Sequence, residues 1–354
     1  MLRRVKAYLL RRLCGLPRTQ RLDKSTLNSF ILLRYDRIGD LIISLPLAKA
    51  LKLKYPMSNL AIIASQSNAP VAHESGLFSE IYIKPINKLK WIWQLWSLRG
   101  KFDVVVDLNH SVAPHSIFAT LIMRPKHVAS PYKEGRWGVP GNQLGLFDIM
   151  PSDKSLSFKR PIAEIYLDIA RLLECPLESC FPYPLPIPKF ADKSHFSILL
   201  NHEGSGEGKS LKDLDLVAIT ELAGRLDPNI RIIMTPMERS YANLRALFQS
   251  TKNLEIKPPQ ETVKETMAIA AQVDLVITPD TSLVHLACAY SKPLIAIYAS
   301  HNEFYEHWKP LNLAPTTVLF SSHEKKLDGY SSDELIAACS NMIRRLIKQK
   351  SKFG

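Results

Sequence analysis

Short, almost wholly apolar segments alternate with helical stretches along this chain, and the alternation stops once and then restarts. In the first half, Phe30–Arg34, Leu60–Ala64, Ile81–Ile83 and Phe102–Leu108 read as strands. Asp40–Lys54 and Asn87–Leu98 read as helices among them. Strands that are apolar on both faces and separated by helices indicate a parallel sheet covered on both sides. Residues 130–160, rich in Gly, Pro and polar groups, read as a long loop, and a helix follows at Pro161–Leu173. Pro176, Pro182, Pro184, Pro186 and Pro188 then form a stiff segment that suits an interdomain linker. After it, strands are expected at Phe196–Leu200, Arg231–Thr235, Leu254–Ile256, Asp274–Thr278 and Leu294–Tyr298. The helices of this half are expected at Leu211–Arg225, Arg239–Gln249, Glu261–Gln272 and Thr281–Tyr290, with a terminal one at Ser332–Lys348. The pattern predicts an α/β protein of two Rossmann-like parallel-sheet domains facing a central cleft. Its divisions are an arm (1–28), an N-terminal domain (29–180), a linker (181–190), a C-terminal domain (191–330) and a terminal helix (331–354).

Composition fits two globular domains: 354 residues, 46% hydrophobic and 22% charged. No apolar run approaches the ~18 residues of a membrane span. The formal charge is +13, and it is unevenly placed. Eight basic residues and one acid, Asp23, occupy the first 24 positions, so that arm carries +7 of the total. Leu2, Val5, Leu9 and Leu13 fall near one helical face there, which suits a short helix lying on an anionic membrane; a solvated, frayed terminus fits equally. The apolar run Ala7–Leu10 is too short for a secretory signal. The five scattered cysteines form no metal-binding pattern and read as free thiols of a cytoplasmic protein.

Three loops, each between a strand and the following helix, carry candidate chemistry. In open parallel sheets this is the edge where ligands bind. The first is Arg34-Tyr35-Asp36-Arg37-Ile38-Gly39-Asp40. Gly39 permits a tight turn, and Asp40 at the helix start is expected to be ionised and exposed, as a general base requires. A plain helix cap is the alternative reading. The second runs from Asn201 to Ser210 and contains Gly204, Ser205, Gly206, Gly208 and Lys209. It has the makings of a phosphate cradle, yet position 203, where a P-loop needs glycine, is Glu203, and the dinucleotide pattern fails at Lys209. A flexible turn with Ser210 as helix cap is the competing reading. The third is Pro279-Asp280-Thr281-Ser282-Leu283-Val284-His285, where a helix N-terminus with Thr281 and Ser282 is suited to a diphosphate. His285, one turn on, faces the same side as Thr281, either as ligand contact or as a structural histidine. Trp91, Trp93 and Trp96 lie close together among lysines, which fits core packing or a membrane-interface surface. No nucleic-acid-binding motif accompanies them.

Taken together, Arg34-x-Asp36-Arg37-Ile38-Gly39-Asp40 with Leu45-Pro46, Gly204-Ser205-Gly206 with Lys209, and Pro279-Asp280-Thr281-x-x-x-His285-Leu286-Ala287 resemble glycosyltransferase family 9. That family contains the heptosyltransferases of lipopolysaccharide core synthesis. The resemblance spans about residues 29–300. It implies the GT-B fold and an inverting, metal-independent transfer without a cofactor. The donor it implies is ADP-L-glycero-β-D-manno-heptose, and the acceptor Kdo or heptose on the lipid A core. Asp40 would be the base, with Arg34, Arg37 and Gly39 at the acceptor. Gly204, Ser205, Gly206, Lys209, Asp280, Thr281, Ser282 and His285 would hold the donor, with positive charge on the diphosphate from Lys209, the helix start and His285. The chain departs from the family pattern at Ser282, commonly glycine, and after Lys209, where Ser210-Leu211-Lys212 replaces an Arg-Trp-Pro-like stretch. A peripheral enzyme on the cytoplasmic face of the inner membrane, partnered by nucleotide-sugar, glycolipid and anionic lipid but no nucleic acid, is the resulting expectation. Another nucleotide-sugar donor, a hydrolysing epimerase of the same fold, or a non-catalytic anion-binding module are the competing readings.

Overall fold

A computed structural model describes residues 2–14, 21–152, 160–178, 180–181, 183, 185–187, 195–204, 206 and 208–350. The chain forms two compact units, Met1–Pro184 and Leu185–Gly354.

The first unit opens with α1 (Leu2–Cys14), then alternates β1 (Ser29–Arg34), α2 (Ile38–Lys54), β2 (Asn59–Ala64), α3 (Ala69–Ser75) and β3 (Glu80–Ile83). It continues through α4 (Lys88–Ser97), β4 (Val104–Asp107), α5 (Pro114–Met123), β5 (His127–Ala129) and α6 (Ile162–Leu172). All five strands run parallel in the order β3-β2-β1-β4-β5. The two-residue period of a strand divides its side chains between faces. Ile31, Leu33, Ala61, Ile63 and Val105 pack on α4 and α5. The opposite face is covered by α2, whose flank meets α6. Helix α2 is mostly apolar and buried from Gly39 to Leu51 except at Lys49, as a helix sandwiched between a sheet and another helix must be.

The second unit contains β6 (Ser197–Leu200), α7 (Asp213–Leu226), β7 (Arg231–Met234), α8 (Glu238–Leu247), β8 (Leu254–Ile256) and α9 (Val263–Gln272). Then follow β9 (Leu275–Pro279), α10 (Ser282–Ala289), β10 (Leu294–Tyr298), α11 (Glu303–Trp308), β11 (Thr316–Phe320) and α12 (Ser332–Lys350). Its parallel sheet has the order β8-β7-β6-β9-β10-β11. Helices α7 and α12 cover one face, with Leu335, Cys339 and Ile343 of the expected terminal stripe fully buried. In each unit the chain order reverses beside its first strand, between β1 and β4 and between β6 and β9. That is the doubly wound arrangement, and its ligand crevice opens at those strands' carboxyl ends.

Three short elements escape the sequence reading: α3, α5 and β5. So do α11 and β11 in the second unit. The stretch 130–152 lacks α-helix or long strand as expected, holds one 3-10 turn at Gly141–Gln143, and is partly buried and fastened by bridges to neighbouring segments. Pro182, Pro184 and Pro188 of the expected linker lie outside the described residues.

Candidate functional site

The first motif leaves β1 at Arg34 and enters α2 at Ile38. Its loop is braced from the next strand connection: buried Asn68 donates its amide to the carbonyls of Arg34, at 3.1 Å, and Arg37, at 3.4 Å. Asp40 is the third residue of α2, where its carboxylate accepts the Arg37 backbone N–H at 3.3 Å. It is 8% exposed, which corrects the expectation of an exposed group. Burial raises its pKa, opposed by the Arg34 guanidinium and assisted by the Asp36 charge. The helix N-terminus is real, but withdrawal from water outweighs it.

Arg34 is buried, with one terminal nitrogen on Asp36 at 2.7 Å and the other on the Tyr166 hydroxyl of α6. Its guanidinium sits in the field of Asp36 and Asp40. Arg37 is exposed. Gly39 has helical backbone inside α2, so its place owes nothing to a tight turn. Across the reversal point, β4 ends at Asp107, whose carboxylate accepts from Lys133 Nζ at 2.9 Å, Ser116 Oγ at 2.8 Å and Asn109 Nδ2 at 2.7 Å. Both members of the Lys133–Asp107 pair are buried. Burial alone would push Asp107 up, but Lys133 and Asn109 hold it below the usual carboxylate range.

In the second unit, the glycine-rich loop leaves β6 and the third motif leaves β9, so the same reversal point lies between them. They meet through Lys209 Nζ on Asp280 Oδ2 at 2.6 Å. Gly204 explains its own residue type: a Cβ there would approach the Thr281 methyl at 3.2 Å and Lys209 Cβ at 3.3 Å. Gly208 has φ of +71°, the turn's left-handed residue. Gly206 packs over the Lys209 stem, whereas Ser205 lies outside the described residues. Ser210 does not cap a helix; it bridges back to Glu203 while α7 begins at Asp213.

Glu203, where a P-loop would have glycine, has a structural task. Its buried carboxylate takes Arg239 Nε at 2.5 Å, the Ser240 hydroxyl and the Met237 N–H at 3.2 Å. Those bonds overcome burial and hold Glu203 low, tying the loop to the start of α8. At the third motif, Thr281 caps α10 through the Leu283 N–H. Its hydroxyl lies 3.0 Å from that of Thr278, which in turn accepts from Asn201 at 3.0 Å. Ser282 is the first residue of α10, where backbone N–H groups have no intrahelical partner.

His285 is buried within α10, and burial pulls its pKa down to about 4. It is therefore neutral near pH 7, which corrects its expected contribution of positive charge. Asp213-Leu214-Asp215 has the spacing of a metal-binding Asp-x-Asp pair, but two residues apart on α7 the carboxylates fall on opposite sides of the helix. Asp213 is exposed, while Asp215 is buried under the Tyr330 hydroxyl at 2.5 Å. Among the described residues, no three His, Cys, Asp or Glu side chains are grouped to hold a metal ion.

Residues 190–334 match the family described as glycosyltransferase family 9 (heptosyltransferase). The chain's second half is a family 9 domain. The chain is accordingly a glycosyltransferase, as the three motifs led us to expect. No curated protein matches by sequence. Solved structures are similar throughout: a family 9 glycosyl transferase from Veillonella parvula has a TM-score of 0.72 at 14% identity, covering 91% of this chain and 97% of its own. The E. coli ADP-heptose LPS heptosyltransferase II gives 0.67 at 15% identity, over 91% and 99%. E. coli heptosyltransferase WaaC with ADP gives 0.64 at 14%, over 90% and 99%. At these identities the likeness establishes the fold, two Rossmann-like units. Sequence similarity singles out residues 190–334, the stretch that holds Lys209, Asp280 and Thr281.

Asp36, Tyr166, Asp107, Lys133, Glu203 and Arg239 complete the two sites without having been singled out for roles in the sequence. Asp36 and Glu203 stand inside motifs already picked out, so their signal was present. Tyr166 and Lys133 have none, because only the tertiary fold brings them to β1 and β4.

Proposed function

We propose that this glycosyltransferase moves a heptose from ADP-L-glycero-β-D-manno-heptose to the Kdo/heptose inner core of a lipid A acceptor, with inversion. The observation that carries the reading is Asp40, a buried carboxylate with a raised pKa at the crevice of the first unit, held beside Arg34. A base of this kind takes a hydroxyl proton more readily than an ordinary solvated aspartate. In the proposed step, the acceptor oxygen bonds to the anomeric carbon while the bond from that carbon to the diphosphate oxygen breaks. The hydroxyl proton passes to Asp40, and the electron pair leaves on the nucleoside diphosphate.

Lys209, freed from Asp280, would neutralise that diphosphate, and the N–H groups at the start of α10 would receive its oxygens. Gly204 and Gly206 keep the loop low enough for the diphosphate to approach. His285 would contribute a neutral hydrogen-bonding ring, and Arg37 a charge for the acceptor's acidic groups. Two of the similar structures bear on the donor: one is an E. coli ADP-heptose LPS heptosyltransferase, and another, E. coli heptosyltransferase WaaC, holds ADP-2-deoxy-2-fluoro heptose. A cytoplasmic location at the inner membrane follows from such an acceptor. No helix among the described residues is long and apolar enough to cross a membrane.

The test is a donor screen of the purified protein against ADP-heptose, UDP-sugars and GDP-sugars with a truncated lipid A core. Transfer from ADP-heptose alone supports the reading. Transfer from another donor replaces the heptose, and consumption of donor without acceptor replaces transfer by hydrolysis.

A further inference from the structure

The face of the first unit formed by α4, α5 and α1 is unlike the rest of its surface. Helix α4 buries Trp91 and Leu95 against the sheet and turns Leu89, Trp93 and Trp96 outward; Trp93 is 73% and Trp96 61% exposed. Ile86, just before the helix, is fully exposed. Next to α4 lies α5, which sits between α4 and α1: its Ile122 packs toward the α4 cluster and its Leu121 toward the cluster that holds α1. Between them Phe118 faces outward, partly exposed. Helix α1 is anchored by buried Leu10 and Cys14, which leaves Val5, Tyr8 and Leu9 in water. Seven large apolar side chains on three adjoining helices are more than scattered exposure accounts for.

The charge around them has one sign. The segments 2–14, 84–102 and 108–127 contain five, five and two Lys or Arg residues respectively, and no Asp or Glu. Arg99 stacks its guanidinium over the Trp96 ring, 4.6 Å from the centroid, an arrangement that keeps cation and indole at the same level. The face also adjoins the site. Trp91 meets the Tyr35 ring edge-on at 5.7 Å, and Lys84 lies 4.3 Å above the same ring. Tyr35 belongs to the loop that carries Asp36 and Arg37 and leads into α2, where Asp40 lies.

We infer that the α4–α5–α1 face is the surface by which this protein lies on a bilayer rich in anionic lipid, with Trp93, Trp96 and Leu89 at the headgroup level and the surrounding lysines and arginines on lipid phosphates. Indoles and long aliphatic side chains occupy that interface, and basic residues near it draw anionic headgroups. The inference deepens the glycolipid reading: a lipid-anchored acceptor lying in the same bilayer meets the Tyr35 loop along the face that holds the enzyme there.

The experiment is sedimentation of the full chain with phosphatidylcholine vesicles and with vesicles of phosphatidylcholine and phosphatidylglycerol. Binding to the anionic vesicles alone, weakened by salt, is expected. The variants Trp93→Ser/Trp96→Ser and Lys88→Glu/Lys90→Glu should each lower vesicle affinity about tenfold or more, while turnover on a soluble truncated acceptor stays unchanged. In the unaltered chain, brominated lipids should quench tryptophan emission, and the Trp93→Ser/Trp96→Ser variant should lose that quenching. Absence of anionic-vesicle binding, or unchanged binding by both variants, overturns the inference. A concentration-dependent dimer that the same variants dissociate overturns it in favour of a second copy as occupant. Nucleotide-sugar binding, followed by calorimetry, reports separately on the transferase reading, so vesicle binding without donor binding would sink that reading and leave this one standing.

Discussion

The two units share a strand order and a reversal point, yet they furnish it with opposite materials. At β1 and β4 the first unit places charged and polar side chains that are themselves buried: Arg34, Asp40, Asp107, Lys133 and Tyr166. At β6 and β9 the second unit places small residues, a helix cap and one half-open ion pair, Lys209–Asp280, with side chains 28% and 15% exposed. The first arrangement tunes a proton affinity, because burial and neighbouring charge decide where a carboxylate titrates. The second, on the proposed reading, would make room for an anion and meet it with backbone N–H groups and the Lys209 cation. On the proposed reading, one topology would thus carry a site that adjusts a proton and a site that receives a phosphate.

The sharpest way to break this contrast is at Asp40. Asp40→Asn should lower transfer about a thousandfold or more, the scale expected for loss of a positioned base in a buried site, with nucleotide binding unchanged. The variant should also melt no lower than the parent near neutral pH. A raised folded-state pKa means the fold favours the protonated carboxyl, so keeping Asp40 ionised costs stability as pH rises through the window above the ordinary carboxylate value. Near-parental turnover, or a large drop in melting temperature, would remove Asp40 from the role.

The next largest effect belongs to the second unit. Lys209→Met should raise the donor KM about 10- to 100-fold, the worth of one charge-assisted hydrogen bond, and leave the pH profile alone. Arg34→Gln should do the reverse, shifting the acid limb of the profile to higher pH with little change in donor KM, because Arg34 opposes the rise at Asp40. Arg34→Lys should keep the limb near its place. If either variant altered the other's observable, the division between proton and phosphate chemistry would fail. The smallest expected effect is on stability. His285 is held neutral, so the stability its burial secures is present above pH 6.5 and lost as pH falls toward 4. Between pH 6.5 and 5 that amounts to about 2 kcal/mol, which His285→Gln should abolish in denaturation curves at the two pH values.

The same contrast explains what could be read from sequence. Strands such as Leu60–Ala64 and Leu294–Tyr298 announce themselves because both faces are buried. Helix α3 spans seven residues, too few for a period to register, and α5 starts at Pro114 as a mostly apolar run without a polar face to mark it. The phosphate-type site is local: Lys209, Asp280 and Thr281 stand in their own motifs and need only two neighbouring strands to meet. The proton-type site is not local. Whether Asp40 is exposed depends on Tyr166 and α6, far along the chain, and the helix-dipole argument alone gives the wrong sign. Nothing near Lys133 marks it as buried, since lysine earns that place only opposite Asp107.

Lys133 also bears on how the irregular stretch after β5 behaves. Its ammonium is spent on Asp107 and on the carbonyl of Asn109, and Gly141 lies so close that a Cβ there would come within 2.1 Å of the Lys133 carbonyl. A segment locked to a strand end by a buried charge and packed this tightly will not open by itself. The amides around Lys133 and Gly141 should exchange with solvent as slowly as those of β4, and a protease should pass over them although no α-helix or long strand holds them.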